Sequence, residues 1–539
     1  MHAQGTNKAI LINTYFPYLL AGSFLITFIG LFIPIMEVDA SQYASISAEL
    51  LRSSTFIEIT DLNVNYLDKP PLLFWLSSIF IKLFGNTSLA YKLPSFILAW
   101  FSVYALFRLS SIFYSKEIAK WTSLIYASSV AFLLFTNDIR TDTLLVSFIV
   151  ISVWQAACYL ENFKTKHLIL SSFAVGFALL AKGPIGAVVP FLALLPHVLI
   201  YKLYGKVFRW NLLLIPLILI LVLSPMLLGL YQQWGWVGIR FFFWDQSFGR
   251  ITGENVWKND ASYFYFLHNI IWIFLPYTIL LLAALIHRCR HFFHKIEYIS
   301  FFGFLLPFIA LSFSHYKLPH YIYVVVPFAA MLSGEYLNYF LRDKKTWRSK
   351  IISAFQIFLS SIFLLLPLAL FYVFKAHFAY YLGYVLVLVL CLYFGFTKLR
   401  FHFEGKLIFS FISFSLAALF INLFAYPKLL KYQSTSEVAF YLKENNLPLD
   451  NLYSFNLHGR ALNYYLNKNV AYFKYDYVED EPIYVFTDSN GLIEIKEAYS
   501  CEILQEFPHF SVTRLSINFL NPKTRQNTLS THYLIQVKP

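Results

Sequence analysis

The feature that most constrains this chain is a series of apolar stretches, each about as long as a membrane-spanning helix. They occupy residues 15–36, 90–114, 117–135, 142–160, 167–182, 184–203, 211–232, 263–286, 297–313, 319–340, 350–375, 379–397 and 406–425. About twenty helical residues cross ~30 Å of hydrocarbon. Of the 539 residues, 58% are hydrophobic and only 13% are charged, a balance that soluble domains do not need. The sequence therefore predicts an all-α polytopic membrane protein with roughly thirteen transmembrane helices.

Basic residues between these stretches indicate which loops face the cytoplasm. They concentrate in alternate loops, at 116–120, 164–166, 202–209, 288–295, 342–350 and 398–406. The positive-inside rule places these loops and the N-terminus in the cytoplasm. The net charge is +13, but the basic residues do not form a single patch with interleaved aromatic residues. No nucleic-acid partner is therefore expected. The sequence predicts a multi-pass protein of the cytoplasmic (inner) membrane.

The remaining loops, which hold the carboxylates, face outward in this topology. They are residues 37–89, 136–141, 232–262 and 314–319. Within the long first outer loop, 37–89, helical apolar spacing predicts helices at 41–51 and 71–84. We expect residues 1–426 to form the transmembrane domain. Residues 427–539 should form a small extracytoplasmic (periplasmic) α+β domain, with strands near 482–487 and 533–537.

Two carboxylates at the ends of apolar stretches are candidate catalytic groups. Asp39 follows the first stretch, and Asp142 follows Arg140 at the start of a later one. Acidic groups at the mouth of an apolar bundle are functional candidates. The alternatives are ordinary helix capping by Asp39 and a cap or local ion pair at Asp142. Spacing alone leaves these alternatives open.

Two lysines in outward segments are candidate phosphate ligands. Lys69 lies between Asp68 and a pair of prolines, which stiffen the chain. Lys182 precedes Gly183-Pro184, which is typical of a broken helix that lines a cavity, where a cation can meet phosphate. The alternative is that Lys182 simply reaches up to lipid headgroups.

A third cluster of ionisable residues lies in the turn at 314–321. It contains His315, Lys317 and His320 between two long apolar stretches. Contact with headgroups at an interfacial turn is the alternative to a functional role. Two histidines five residues apart are a weak signal for a metal without a third ligand.

Five segments, taken in order, resemble the motifs of the dolichyl-phosphate-mannose protein mannosyltransferase superfamily. The likeness is strongest to its bacterial branch, which includes the lipid A aminoarabinose transferases. The segments are Asp39 with Tyr43-Ala44, residues 68–72, Arg140-Thr141-Asp142, residues 182–184 and residues 317–321. The resemblance covers most of residues 15–340. It implies the GT-C fold and an inverting glycosyltransferase, hexosyl or pentosyl, with a polyprenyl-phosphate-sugar donor and a lipid (lipid A-like), glycan or protein acceptor.

The resemblance also implies roles for single residues. Asp39 would be the general base or would position the acceptor, and Asp142 would be a second catalytic carboxylate. Asp68, His315 and His320 would contact substrate or hold a divalent metal. The donor phosphate would be bound by Lys69, Arg140, Lys182, Arg250 and Lys317.

The chain departs from the family pattern in two places. Ala40 follows Asp39 where the family commonly has Asp-Glu, and residues 247–262 lack the His that helps bind zinc in aminoarabinose transferases. The need for a metal and the identity of the acceptor therefore stay open. In this loop, Arg250 and residues 254–260 are candidates for substrate contact, with a solvated charged loop as the alternative.

A transporter or lipid flippase is the competing class of function. It would show repeated halves and ionisable residues near the middle of the membrane, whereas these residues concentrate at one face. A glycan polymerase or ligase would share the lipid-linked substrate and is not separated by sequence.

Overall fold

The residues that the structure describes up to Leu430 are mainly helical, with one short hairpin in the first outer loop. The structure is a computed structural model that describes residues 11–246, 249, 261–342, 347–399, 402–475 and 482–538. Arg250 and residues 254–260, both named above as candidates for substrate contact, lie outside these ranges.

The helices of the first half of the chain form the bundle and its first outer loop. They are α1 (Leu11–Ile29), α2 (Asp39–Leu50), α3 (Leu72–Phe84), α4 (Ser88–Phe113), α5 (Lys116–Ala127), α6 (Val130–Asn137), α7 (Thr141–Asn162), α8 (Thr165–Lys182), α9 (Ile185–Ile200), α10 (Tyr204–Val207), α11 (Leu214–Trp234) and α12 (Trp236–Arg240). Helices α2 and α3 confirm the two helices predicted in the first outer loop.

The second half completes the bundle and adds a sheet. Its helices are α13 (Tyr265–Ile273), α14 (Thr278–Arg290), α15 (Ile299–Phe313), α16 (Val326–Arg342), α17 (Trp347–Val373), α18 (Phe378–Phe394), α19 (Phe403–Phe420), α20 (Tyr426–Leu430), α21 (Ser434–Glu444), α22 (Arg460–Leu466), α23 (Ser489–Ala498) and α24 (Ile517–Leu520). A 3₁₀ segment, Pro319–Val325, leads into α16.

Among the residues that the structure describes, seven helical stretches are long and apolar enough to cross a membrane, and an eighth counts if α5 and α6, bent by 51°, form one span. The seven are Leu11–Phe32, Ser88–Phe113, Thr141–Asn162, Trp210–Trp234, Trp347–Val373, Phe378–Leu399 and Phe403–Leu430. The multi-pass membrane fold is confirmed. The other predicted spans are helical but shorter, broken or more polar, so fewer than thirteen meet this length and composition.

Proline explains one of these breaks, because it cannot continue the helical hydrogen-bond pattern. The predicted span 263–286 divides into α13 and α14 on either side of Pro276, whereas the span 319–340 begins as the 3₁₀ segment Pro319–Val325 and continues as α16. Irregular backbone at membrane depth is tolerated where protein or a cavity surrounds it.

The first outer loop is organised around a buried carboxylate. Strands β1 (Thr60–Asp61) and β2 (Val64–Asn65) pair antiparallel around Leu62 and Asn63, which both have positive φ, 56° and 61°. This conformation suits a two-residue hairpin turn but disfavours leucine. Glu49, 3% exposed, accepts hydrogen bonds from both turn N–H groups at 2.9 Å and so holds the turn.

A five-stranded sheet forms the C-terminal part of the chain. Its order is β4 (Ala471–Tyr472), β3 (Leu452–Phe455), β5 (Ile483–Asp488), β7 (Ser530–Lys538) and β6 (Ser500–His509). The first three strands run parallel, while β7 is antiparallel to both β5 and β6. The two predicted strands correspond to β5 and β7, which confirms the small C-terminal α+β domain.

This domain contacts the first outer loop through polar pairs. The Arg460 guanidinium contacts the Asp61 carboxylate at 2.7 Å, and Asn469 donates to Glu49 at 3.1 Å. The Tyr465 hydroxyl accepts a hydrogen bond from the backbone N–H of Ile35 at 2.9 Å. The C-terminal domain therefore lies against the loop that carries Asp39 and Lys69.

Candidate active site

The candidate active site includes a groove between α7, α8, α9 and α15. The groove has a volume of about 150 Å³. Its polar lining includes Lys69, Asp142, Lys182, Gln246 and Tyr321. The rest is mainly apolar: Leu145, Ile185, Val188, Val189, Leu192, Pro307, Ala310, Leu311 and Val324. One end of the groove is thus charged, and its walls are hydrocarbon.

A buried ion pair lies at the charged end. The Lys182 Nζ atom is 2.5 Å from Asp142 Oδ1, and the Asp142 side chain is only 2% exposed. Helix α8 ends at Lys182 because Gly183 adopts a positive φ of 81° and proline follows. The Lys182 ammonium also lies 4.4 Å from the centre of the Tyr321 ring, and His320 Nε2 lies 3.8 Å from Asp142 Oδ2.

A second charged cluster joins the start of α2 to the start of α7. Arg140 Nη1 contacts Asp39 Oδ2 at 2.6 Å, and its Nη2 contacts Asp138 Oδ2 at 2.9 Å. Burial opposes the guanidinium charge, but the carboxylates of Asp138 and Asp39 outweigh it and raise the pKa of Arg140. Arg140 therefore stays charged and fixes one oxygen of Asp39.

Lys69 approaches the groove from the first outer loop. Its Nζ lies 2.6 Å from Asp68 Oδ2, and the Gln246 side chain donates to the Asp68 backbone carbonyl. Pro70 and Pro71 precede α3 and limit the backbone freedom of this segment. The lysine is thus held at the charged end of the groove.

Only some residues of the turn at 314–321 lie at or near the groove. His320 lies near Asp142 as described, whereas Lys317 donates to the Ala261 backbone carbonyl at 2.9 Å, and desolvation lowers the pKa of Lys317. His315 is exposed. Neither Lys317 nor His315 lines the groove.

The described residues do not fit a resident divalent metal. Within the ranges given above, no group of three His, Cys, Asp or Glu side chains is close enough to hold a metal ion. The Asp142 carboxylate forms an ion pair with Lys182, and the Asp39 carboxylate forms one with Arg140. These lysine and arginine contacts occupy carboxylate oxygens that a cation would need.

Sequence reasoning missed two contributors to the charged clusters. Asp138 contacts Arg140 at 2.9 Å, and its position two residues before Arg140 was a readable signal. Gln246 lines the groove and contacts the segment that carries Lys69, but nothing in the sequence marks an isolated glutamine in the middle of an outer segment.

The fold and the motif region match known proteins. Residues 68–228 match the family model described as dolichyl-phosphate-mannose-protein mannosyltransferase. The crystal structure of ArnT from Cupriavidus metallidurans bound to undecaprenyl phosphate aligns with a TM-score of 0.75 at 17% identity, covering 97% of this chain and 98% of that chain. The chain has the GT-C fold. The resemblance to this superfamily, in its lipid A aminoarabinose transferase branch, is confirmed.

Curated relatives of this GT-C chain are about 25% identical to it over the aligned residues. An undecaprenyl phosphate-alpha-4-amino-4-deoxy-L-arabinose arabinosyl transferase of Pseudomonas savastanoi pv. phaseolicola is 25% identical over 350 residues, 63% of this chain and 63% of that protein. A second such transferase, from Proteus mirabilis, is 25% identical over 312 residues, 56% of this chain and 55% of the relative. The match thus spans less than two thirds of either relative.

Proposed function

We propose that this protein is a membrane glycosyltransferase that transfers a sugar from a polyprenyl-phosphate donor. The reaction would take place at the outer face of the cytoplasmic membrane, with the N-terminus in the cytoplasm and the C-terminal domain outside. The observation that supports this most is the groove, because it has cations at one end and apolar walls. A polyprenyl phosphate combines the same two parts, a charged head and a hydrocarbon tail.

The relatives narrow the donor and acceptor classes within this proposal. Their names specify an undecaprenyl-phosphate-linked aminoarabinose, and the aligned crystal structure contains undecaprenyl phosphate. A pentosyl donor and a lipid A-like acceptor are therefore the first substrates to test. Other lipids, glycans and proteins follow as acceptors.

The ion pairs at the groove give a mechanism for donor binding. Lys69 and Lys182 each contact a carboxylate. A donor phosphate would displace the carboxylates of Asp68 and Asp142 from these two ammonium groups. Such exchange replaces one charge-assisted contact by another and keeps the lysines charged. The groove would thus hold its cations ready without exposing unpaired charge to lipid.

Transfer would then proceed by a single displacement with inversion. The acceptor oxygen forms a bond to the anomeric carbon while the bond from that carbon to the phosphate oxygen breaks. Polyprenyl phosphate leaves with the electron pair, and the lysines stabilise its growing charge. Asp39 would accept the proton of an acceptor hydroxyl; if the acceptor is itself a phosphate, Asp39 would orient it instead. No step requires a metal.

The test is transfer of labelled sugar from polyprenyl-phosphate donors by the purified protein in lipid. Asp39→Asn should lower turnover by about 10²–10⁴-fold, and Lys69→Ala by about 10²–10³-fold. Asp450→Asn and Lys82→Ala remove exposed charges outside the site and should leave turnover unchanged. If no preparation shows turnover or binds the donor, a transporter or flippase would be favoured instead.

A further inference from the structure

A second groove lies at the opposite end of the bundle from the candidate active site. It runs between α14, α16 and α17 and has a volume of about 250 Å³. Helix α16 begins directly after the segment that carries His320 and Tyr321 and ends at Arg342, so its far end is remote from those residues. Arg290 is the last residue of α14, and Trp347 is the first of α17.

The walls of this groove are apolar and its mouth is basic. Aliphatic side chains form the walls: Ile279, Leu282, Ala283, Ile286, Ile351 and Ile352. Arg290, Arg348, Tyr336 and Trp347 complete the lining. Trp347 is 67% exposed, as is usual for an indole at the boundary between hydrocarbon and headgroups.

Among the described residues, the carboxylates that contact the end of α14 are already engaged by other cations. Arg288 lies 3.2 Å from Glu297 and 3.0 Å from Glu335, and Lys295 lies 2.9 Å from Glu335. Across the part of the chain that the structure describes, neither Arg290 nor Arg348 forms an ion pair. The mouth of the groove therefore carries positive charge that this cluster does not neutralise.

We propose that this groove binds one anionic phospholipid. Its phosphate would lie between the guanidinium groups of Arg290 and Arg348, with one acyl chain along the isoleucine-rich wall. Basic pockets between transmembrane helices select acidic headgroups, because each basic residue near the membrane surface favours them. The site is independent of the proposed glycosyl transfer and lies at the other end of the bundle.

Native mass spectrometry of the full chain, titrated with phosphatidylglycerol or with phosphatidylethanolamine of the same acyl chains, tests this. The wild-type protein should retain one phosphatidylglycerol with a preference of roughly tenfold to thirtyfold. The double variant Arg290→Gln/Arg348→Gln should lose that preference. Lys350→Gln removes an exposed charge from the same helix end without touching the groove and should retain it.

A second variant separates the groove from surface charge alone. Ala283→Trp fills the apolar wall while leaving both arginines in place, and it should reduce retention of phosphatidylglycerol about as much as the double variant does. Equal binding of the two lipids by wild type, or unchanged preference in both groove variants, would overturn the proposal. So would an equal loss of preference in Lys350→Gln, which would indicate general surface charge.

Discussion

At the candidate active site, Lys69, Arg140 and Lys182 each contact a carboxylate, and the partners differ in burial. Asp142 is 2% exposed, whereas the side chains of Asp39 and Asp68 are each 40% exposed. A carboxylate that competes with phosphate for a buried lysine weakens phosphate binding, yet it also prevents the cost of an unpaired charge. These two effects can be separated by measurement.

Asp142→Asn should therefore change stability and donor affinity in opposite directions. The buried Lys182 loses its carboxylate partner, and the free energy of unfolding should fall by about 3 kcal/mol. Without competition from this carboxylate, the Lys182 ammonium should bind polyprenyl phosphate about tenfold more tightly. Thermal unfolding with and without polyprenyl phosphate measures both quantities. Asp450→Asn serves as the control, and weaker phosphate binding in Asp142→Asn would contradict the exchange of partners.

A pair of stacked histidines makes the C-terminal domain sensitive to acid. Burial, with a smaller effect of neighbouring His509, lowers the pKa of His532 to about 4. Between about pH 6.5 and 4 the unfolded chain binds a proton that the folded domain does not. The free energy of unfolding should thus fall as pH decreases through this window, by roughly 2–4 kcal/mol, and this group has no effect above it.

Hydrogen exchange of the β7 amides, corrected for its intrinsic dependence on pH, checks this expectation. His532→Gln should remove most of the acid sensitivity. His458→Gln, an exposed histidine in the same part of the chain, should leave it intact. Acid sensitivity that persists unchanged in His532→Gln would contradict the assignment.

The residues of the site were largely visible in the sequence, but their pairing was not. Asp39 and Arg140 lie 101 positions apart, and no periodicity connects them. The local ion pair considered for Asp142 is instead made with Lys182, 40 positions away. Charge and proximity to an apolar stretch mark such residues individually, whereas their partners depend on how helices pack.

At the scale of single elements, the contact between α11 and the first outer loop depends on a glycine. A Cβ atom built at Gly229 would lie 2.1 Å from the backbone oxygen of Ile57, which cannot move without displacing the loop. The loop segment from Ile57 leads to Lys69. Helix α11 thus supports the segment that presents this lysine to the groove.

Gly229→Ala should push the loop away from α11 and lower the free energy of unfolding by about 1–3 kcal/mol. Donor-dependent turnover should also fall. Gly22→Ala is a matched control, because no atom lies within 4 Å of a Cβ at Gly22 and this position is also helical. Equal melting temperatures for the two variants would contradict the close contact.

Elements were predicted well where apolar length alone decides the outcome. The stretches that became α1, α4, α7, α11, α17, α18 and α19 are uninterrupted. Their helices run within about five residues of the predicted bounds, except that α1 ends at Ile29 instead of Met36. The stretches at 117–135 and 263–286 were predicted as continuous spans, although they bend or break at Ser128–Ser129 and Pro276. The stretch at 319–340 changes from 3₁₀ to α-helix after Val325. A run of apolar residues indicates membrane depth, whereas the breaks depend on which neighbours satisfy the freed backbone groups.

At the scale of the whole molecule, the C-terminal domain is bound to the first outer loop by hydrogen bonds and an ion pair. Gln433 donates to the backbone carbonyl of Ile35 at 2.9 Å and accepts from the backbone N–H of Glu37 at 2.8 Å. With the contacts of Arg460 and Tyr465, these bonds flank Asp39 on the chain. The domain thus supports the loop that carries Asp39.

A chain that ends at Leu430 should lose transfer activity by more than about tenfold while still binding the donor. The groove lies within the helices, but the loop that holds Asp39 would lose its supports. Donor-dependent shifts in melting temperature and transfer of labelled sugar measure the two properties separately. Unchanged activity and acceptor choice in the truncated protein would contradict any role of the domain in guiding the acceptor.

The pair formed by Asp61 and Arg460 also imposes a sequence of events during protein synthesis. The two residues are separated by 399 positions, and ribosomes add about 5–20 residues per second. The hairpin that carries Asp61 therefore emerges roughly 20–80 s before its partner exists. Throughout that interval the first outer loop lacks its contact with Arg460. The contact between this loop and the C-terminal domain therefore forms only after all the membrane helices have been synthesised.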